Sequence, residues 1–122
     1  MSVTVYQYKG CSTCKKALRY LDAAGVEHRA VPIVDQPPSS KELRRLWKMS
    51  GLPLRKFFNV SGQSYRNGGF KERIGTMDEA EQLEALAADG KLIKRPILVD
   101  ERTKSVLVGF READYDAHFG EE

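Results

Sequence analysis

The stretch "KGCSTCKK", residues 9–16, constrains this chain more than any other part of it. Cys11 and Cys14 form a CxxC pair between the β-rich "SVTVYQY" and the helix-forming "ALRYL". Such a pair serves as a metal clip, a structural disulfide or a redox centre. Zinc requires two further ligands at finger-like spacing. His28 follows Cys14 at a suitable distance, but its partner would fall at Pro32, Ile33 or Val34; His118 is remote and no second CxxC is present. Lys15 in place of His after Cys14 removes covalent haem attachment. The sequence therefore calls for no metal and no cofactor, and both histidines are expected at the surface. The N-terminus has no basic segment leading into an apolar run, and no stretch approaches the ~20 apolar residues of a membrane span. A cytoplasmic location is expected, and thiols there are held reduced. A structural disulfide is then disfavoured, which leaves redox chemistry.

Periodicity places the cysteines. "SVTVYQY" suits a buried strand. From Cys14, residues 14, 17, 18 and 21 lie on one helical face, and Gly25 closes that helix. "HRAVPIV" is a second strand. Ser39 and Glu42 have capping-box spacing ahead of a helix with Leu43, Leu46 and Trp47 on its inner face. "GLPLRKFFN" predicts a short helix and "SGQSYRNGG" a polar loop. Thr76 and Glu79 repeat the capping spacing before a helix with Ala80, Leu83 and Ala87 facing inward. "RPILVD" and "SVLVGF" form a hairpin across "ERTK", and "READYDAHF" is a closing helix. With no repeat or linker in its 122 residues, the chain is expected to be a single domain over 1–122. The order is βαβ, helical insertion, ββα. It predicts an α/β thioredoxin-like fold with a mixed four-stranded sheet, in which CxxC between first strand and first helix is the redox position.

Cys11 precedes the first turn of that helix, where unpaired N–H groups and the helix dipole stabilise a thiolate. Cys14 lies on the inward face. Cys11 is therefore the expected attacker and Cys14 the resolver that closes an intramolecular disulfide. A phosphatase-type loop would want Cys-x5-Arg, which from Cys11 requires arginine at position 17; Ala17 stands there, so an oxyanion clamp must come from distant sequence. Arg95 in "KRP" is the first candidate, with Pro96 expected to be cis and to face the CxxC. Arg55 in "GLPLR" is a second arm. A planar guanidinium suits a tetrahedral oxyanion.

These residues resemble the arsenate reductase (ArsC)/Spx family over nearly the whole chain, through "YKGCSTCKKA", "GVEHRAVPIVDQPPSSKEL", "SGLPLRKFFNVSG", "DEAEQLEALAADGKLIKRPILVD" and "VGFRE". The resemblance is strongest to small arsenate-reductase-like proteins of bacteria. It implies thiol chemistry, with Cys11 as the cysteine that attacks arsenate and with Arg55 and Arg95 as two of three oxyanion-binding arginines. The third falls at Gly109, with Arg111 close by as a substitute. The glutaredoxin-linked reductases lack the second cysteine; Spx has it. Cys14 thus suits thioredoxin as electron donor better than glutathione, with thioredoxin or glutaredoxin as the expected partner. Spx offers a different function, a regulator that binds the RNA polymerase α subunit with the disulfide as switch; a general thiol–disulfide module is a third. A net charge of +3 spread along the chain and a C-terminal "HFGEE" without basic residues give no reason to expect nucleic acid. No spare apolar stripe is evident, so a monomer is expected.

Overall fold

The computed structural model describes residues 2–120, so the last two residues of "HFGEE" lie outside the described residues. Period-two alternation organises the sheet. In β1 (Val3–Gln7), Val3 and Val5 are buried on one face while Tyr6 turns to the other. β3 (Ile97–Asp100) is buried at every position, with Ile97 and Val99 facing one layer and Leu98 the opposite one. β2 (Arg29–Pro32) runs parallel to β1, β3 runs antiparallel to it, and β4 (Ser105–Val108) completes the order β2-β1-β3-β4. A helix, α1 (Ser12–Ala23), makes the parallel crossover from β1 to β2. Between β2 and β3 lie α2 (Ser40–Ser50), α3 (Gln63–Asn67), α4 (Phe70–Arg73) and α5 (Glu79–Ala88), with 3-10 turns at Leu54–Phe57, Ile74–Thr76 and Gly90–Leu92. α6 (Glu112–Phe119) closes the chain. This is the α/β thioredoxin-like arrangement that the sequence predicts. Among the described residues no helix is long and apolar enough to cross a membrane.

The sheet has an apolar layer on each face. The helical insertion packs Leu43, Leu46, Phe57, Phe58, Leu83 and Leu86 against Ile97 and Val99. On the other face Ala17, Leu21 and Tyr115 cover Val3, Val5 and Leu98. Gly90 lies in the insertion layer, where a Cβ would strike the Ile33 carbonyl and come within 2.8 Å of the Val34 Cα. Only glycine permits so close an approach of two backbones.

Three local expectations change. Ser39 does accept the Glu42 N–H, at 3.1 Å, but the Glu42 carboxylate turns to Arg45 at 2.8 and 2.9 Å instead of returning to the cap. The reciprocal capping box is formed by Asp78 and Glu81, with bonds of 2.8 and 2.9 Å, two residues beyond Thr76 and Glu79. The Thr76 hydroxyl instead donates to the Arg73 carbonyl of the preceding turn. Beginning the helix later changes its inner face: Leu83 and Leu86 are buried, Ala87 is half-buried and Ala80 is exposed. "SGQSYRNGG" contains α3 in place of a loop, because Tyr65 packs its ring on Phe58 and Phe70.

Neither histidine is a simple surface residue. His28 Nδ1 lies 2.8 Å from the Val26 carbonyl. His118 Nε2 lies 2.9 Å from Asp100 Oδ2, deep at the end of β3. Asp100 is fully buried and also accepts from Arg102 Nε at 3.0 Å and Nη2 at 2.9 Å. The Arg102 bonds above all, opposed by burial and aided by His118, hold its carboxyl below the usual 3.8, at about 2. A depressed carboxyl stabilises the fold fully above its unfolded value and loses that contribution as pH falls through its folded value. About 2 kcal/mol of stability is thus expected to vanish between roughly pH 4 and pH 2. Urea denaturation across that window should show Asp100→Asn less stable than wild type near neutrality and flatter in its acid dependence. Parallel pH profiles for the two proteins would refute the role of this carboxylate.

Candidate functional site

The site begins at the junction of β1 and α1. Cys11 occupies the cap position of α1 in an extended conformation (φ −96°, ψ 115°). Its Sγ accepts the backbone N–H of Cys14 at 3.2 Å, a place usually filled by a serine or aspartate oxygen. Cys11 is partly exposed, whereas Cys14, one turn on, is completely buried. Cys14 Sγ accepts the Tyr8 N–H at 3.4 Å. Burial first, and then its hydrogen bonding with Cys11, push the Cys14 thiol up from 9.0 to about 12; the Arg95 charge works in the opposite direction. One sulfur is open to a reactant and the other is shielded and held as a thiol.

Arg95 is brought to this pair. The Arg95–Pro96 bond is cis, as the sequence leads one to expect. The Arg95 guanidinium stacks 4.7 Å from the centre of the Tyr8 ring, and its Nη1 donates to the Lys91 carbonyl at 3.1 Å. Pro96 in turn accepts the Gly109 N–H at 2.8 Å, which ties the start of β3 to the end of β4.

Arg55 sits in the 3-10 turn Leu54–Phe57 and is exposed. That turn is joined to the Arg95 segment, since the Phe57 carbonyl accepts the Lys94 N–H at 2.8 Å and Phe58 bridges Ile93. Arg111 lies at the cap position of α6, its side chain 82% exposed and 3.8 Å from Asp114. Gly109 has a left-handed φ of 79°, and a Cβ there would stand 3.6 Å from Lys94 Cε. The backbone at Gly109 therefore favours glycine over an arginine. Lys94 is the cation nearest to that point.

Two participants escape the sequence reading. Tyr8, just past β1, both supplies an N–H to Cys14 and stacks with Arg95; an aromatic two residues before the motif glycine–cysteine step was its only sign. Tyr115, on α6, is fully buried in one layer with Ala17 and Leu21, from the face of α1 that also carries Cys14. A cleft of about 600 Å³ opens beside the approach to Cys11, lined by Tyr8, Lys9, Gly10, Pro32, Asp35 and Lys91. Among the described residues no group of three or more His, Cys, Asp or Glu is placed to hold a metal ion.

A CxxC pair capping the first helix, with an X–Pro step into β3 and this strand order, defines a thioredoxin-like protein. The model of the ArsC family matches residues 6–118, and the chain belongs to the ArsC family. It is 47% identical over 119 residues to the uncharacterized protein YusI of Bacillus subtilis (strain 168), covering 98% of this chain and 99% of that one. The crystal structure of an ArsC family related protein from Bacteroides fragilis superposes with a TM-score of 0.91 at 41% identity, over 96% of this chain and 97% of the other. More distant relatives divide by function. The arsenate reductase of Rhizobium meliloti (strain 1021) is 29% identical over 81% of this chain and 69% of its own. The regulatory protein MgsR of B. subtilis is 27% identical over 92% and 86%.

Proposed function

We propose that this chain is a thiol-dependent oxidoreductase of the arsenate-reductase type, in which Cys11 attacks an oxyanion or disulfide substrate and Cys14 resolves the adduct. The observation that carries this reading is the inequality of the two sulfurs: Cys11 caps a helix and is accessible, Cys14 is buried with its thiol pushed up to about 12. Attack by Cys11 forms a bond from its sulfur to the substrate and expels a leaving group, water from protonated arsenate or one thiolate of a disulfide. Cys14 then displaces the product from Cys11, forming the S–S bond and leaving two electrons with the product. For arsenate, those two electrons convert arsenic(V) to arsenic(III). Arg95, fixed over Tyr8, and Arg55, on the adjoining turn, are the cations assigned to the oxyanion.

The protein would work as a cytoplasmic monomer on a small anion, without nucleic acid or membrane, and be reduced by thioredoxin or glutaredoxin. A self-contained resolving thiol favours thioredoxin. Mild oxidation should therefore link Cys11 to Cys14 within one chain and lower the intact mass by about two hydrogens. Chains joined to each other, or two thiols still titratable after oxidant, would remove the resolving role.

The test of the activity is NADPH-coupled arsenate reduction, run in parallel with the thioredoxin and glutaredoxin systems. Turnover with one donor fixes both class and donor. A regulatory reading draws on the likeness to MgsR and on the exposure of Arg55, which binding of a protein would also use. Absence of turnover with both donors, together with direct binding to RNA polymerase α subunit, would transfer the assignment to that class.

A further inference from the structure

Arg45 is gripped by the carboxylates of Glu42 and Glu101, at 2.8 Å each, and Arg102 by that of Asp100 at 2.9 Å. A carboxylate fixes a guanidinium but also neutralises it, so an arginine held this way has little left for an incoming anion. Arg95 is held differently. It is half-buried and belongs to no salt bridge among the described residues. Its partners are uncharged: the Tyr8 ring, whose centre is 4.7 Å from the guanidinium carbon, and the Lys91 carbonyl, 3.1 Å from Nη1. Arg73 lies over Phe70 in the same way, so the contact by itself marks no site. The place of Tyr8 does. Its carbonyl accepts the Cys11 N–H at 3.0 Å, and its own N–H is donated to Cys14 Sγ at 3.4 Å. Its ring lies beside Gly10, where an added Cβ would stand 3.5 Å from Cε2. One residue thus meets both cysteines through its main chain and Arg95 through its ring.

We infer that Tyr8 is a positioning residue for the oxyanion: its ring fixes the Arg95 guanidinium beside the cysteines without neutralising it, ready for a tetrahedral anion such as arsenate, phosphate or sulfate. The inference rests on the reading that Arg95 is a cation of the oxyanion site. The face of an aromatic ring attracts a cation through its quadrupole and needs none of the guanidinium's N–H donors. Lys91 engages Nη1, and the remaining donors are left to the anion. A long side chain that is free in solution gives up rotamer freedom when it grips a ligand; one already held gives up less. The ring therefore does what a carboxylate would do for orientation, and leaves the positive charge whole. It acts only through Arg95.

The test is the protection of Cys11 from iodoacetamide by sulfate or phosphate, on the reduced full-length protein at constant ionic strength. Protection is the ratio of alkylation rates with and without anion in the same variant, so any change in the reactivity of Cys11 itself cancels. Tyr8→Leu and Tyr8→Gln remove the ring with an apolar and a polar side chain, one or other of which suits a half-buried position, and thermal denaturation shows that each is folded. Anion affinity should fall by roughly 3- to 30-fold in both, the range that a cation–π contact spans. Tyr8→Phe keeps the ring face and should bind the anion within about twofold of wild type. In the Arg95→Ala background, removing the ring should cost nothing further, because a positioning residue acts only through the group it positions. Equal affinity with and without the ring, a loss in Tyr8→Phe as great as in Tyr8→Leu, or the same added loss in the Arg95→Ala background would each overturn the inference while leaving Arg95 as an oxyanion ligand. A wild-type protein that no anion protects would instead overturn the oxyanion reading itself, and the inference with it.

Discussion

In the reduced protein, arsenate, phosphate or sulfate should slow alkylation of Cys11, and Arg95→Lys should lose most of that protection. The expectation follows from what Arg95 does at once. Its guanidinium lies flat over Tyr8, and Nη1 is bonded to the Lys91 carbonyl. That leaves the rest of the planar fork to face an anion with its direction fixed. A lysine keeps the charge, but its single ammonium cannot stack, hold the Lys91 carbonyl and present a two-pronged edge together. A charge-assisted hydrogen bond is worth roughly 1.5–3 kcal/mol, so the loss should weaken anion binding on the order of 10- to 100-fold.

The wild-type affinity should itself be modest. Two arginines contributing on that scale reach about 3–6 kcal/mol, which brackets the ~4 kcal/mol of a millimolar complex. The third position of the reductase pattern falls at Gly109, whose left-handed backbone disfavours any side chain. Protection measured against anion concentration at constant ionic strength decides the matter. Equal protection of wild type and Arg95→Lys would reduce the effect to screening, and the oxyanion assignment would fall in favour of a disulfide substrate or a regulatory switch.

Local signals carried the sequence reading far. The alternation in "SVTVYQY", the apolar run in "RPILVD", the spacing from Cys14 to Leu21 and the turn "ERTK" each depend on neighbours only, and the sheet follows them. The cis Arg95–Pro96 step was legible because a proline directly before a strand marks a place where such a bond is expected. Signals that depend on distant partners were hidden. Ala80 and Leu86 exchanged roles because Asp78 outcompeted Thr76 for the cap, a contest decided by the preceding 3-10 turn. α3 exists through contacts of Tyr65 with Phe58 and Phe70 rather than through propensity. His118 is held by Asp100, and Tyr115 meets Tyr20 of α1 only once α6 has folded back over that helix. No periodicity within either segment records such a meeting.

Phe57→Ala should cost about 3–5 kcal/mol, the range for truncating a phenylalanine in a tight core. The side chain is fully buried among the residues of the insertion layer, whose other members include Leu46, Phe58, Leu92 and Ile93. Against a total stability of about 5–15 kcal/mol for a domain, that is a large fraction. The consequence reaches the site through the backbone. Phe57 ends the turn that carries Arg55, and its carbonyl holds the Lys94 N–H one residue before Arg95. Loosening Phe57 therefore frees both arginines together, and anion protection of Cys11 should weaken even where the variant remains folded. Arg55→Ala makes the contrast: the exposed side chain leaves stability within about 0.5 kcal/mol of wild type, while the oxyanion loses one arm. Urea midpoints and anion protection, measured on both variants, separate a scaffold from a ligand-binding group. A loss under about 1 kcal/mol for Phe57→Ala would mean that the insertion collapses into the gap. The two arginines would then be positioned by their own contacts and not by the core beneath them.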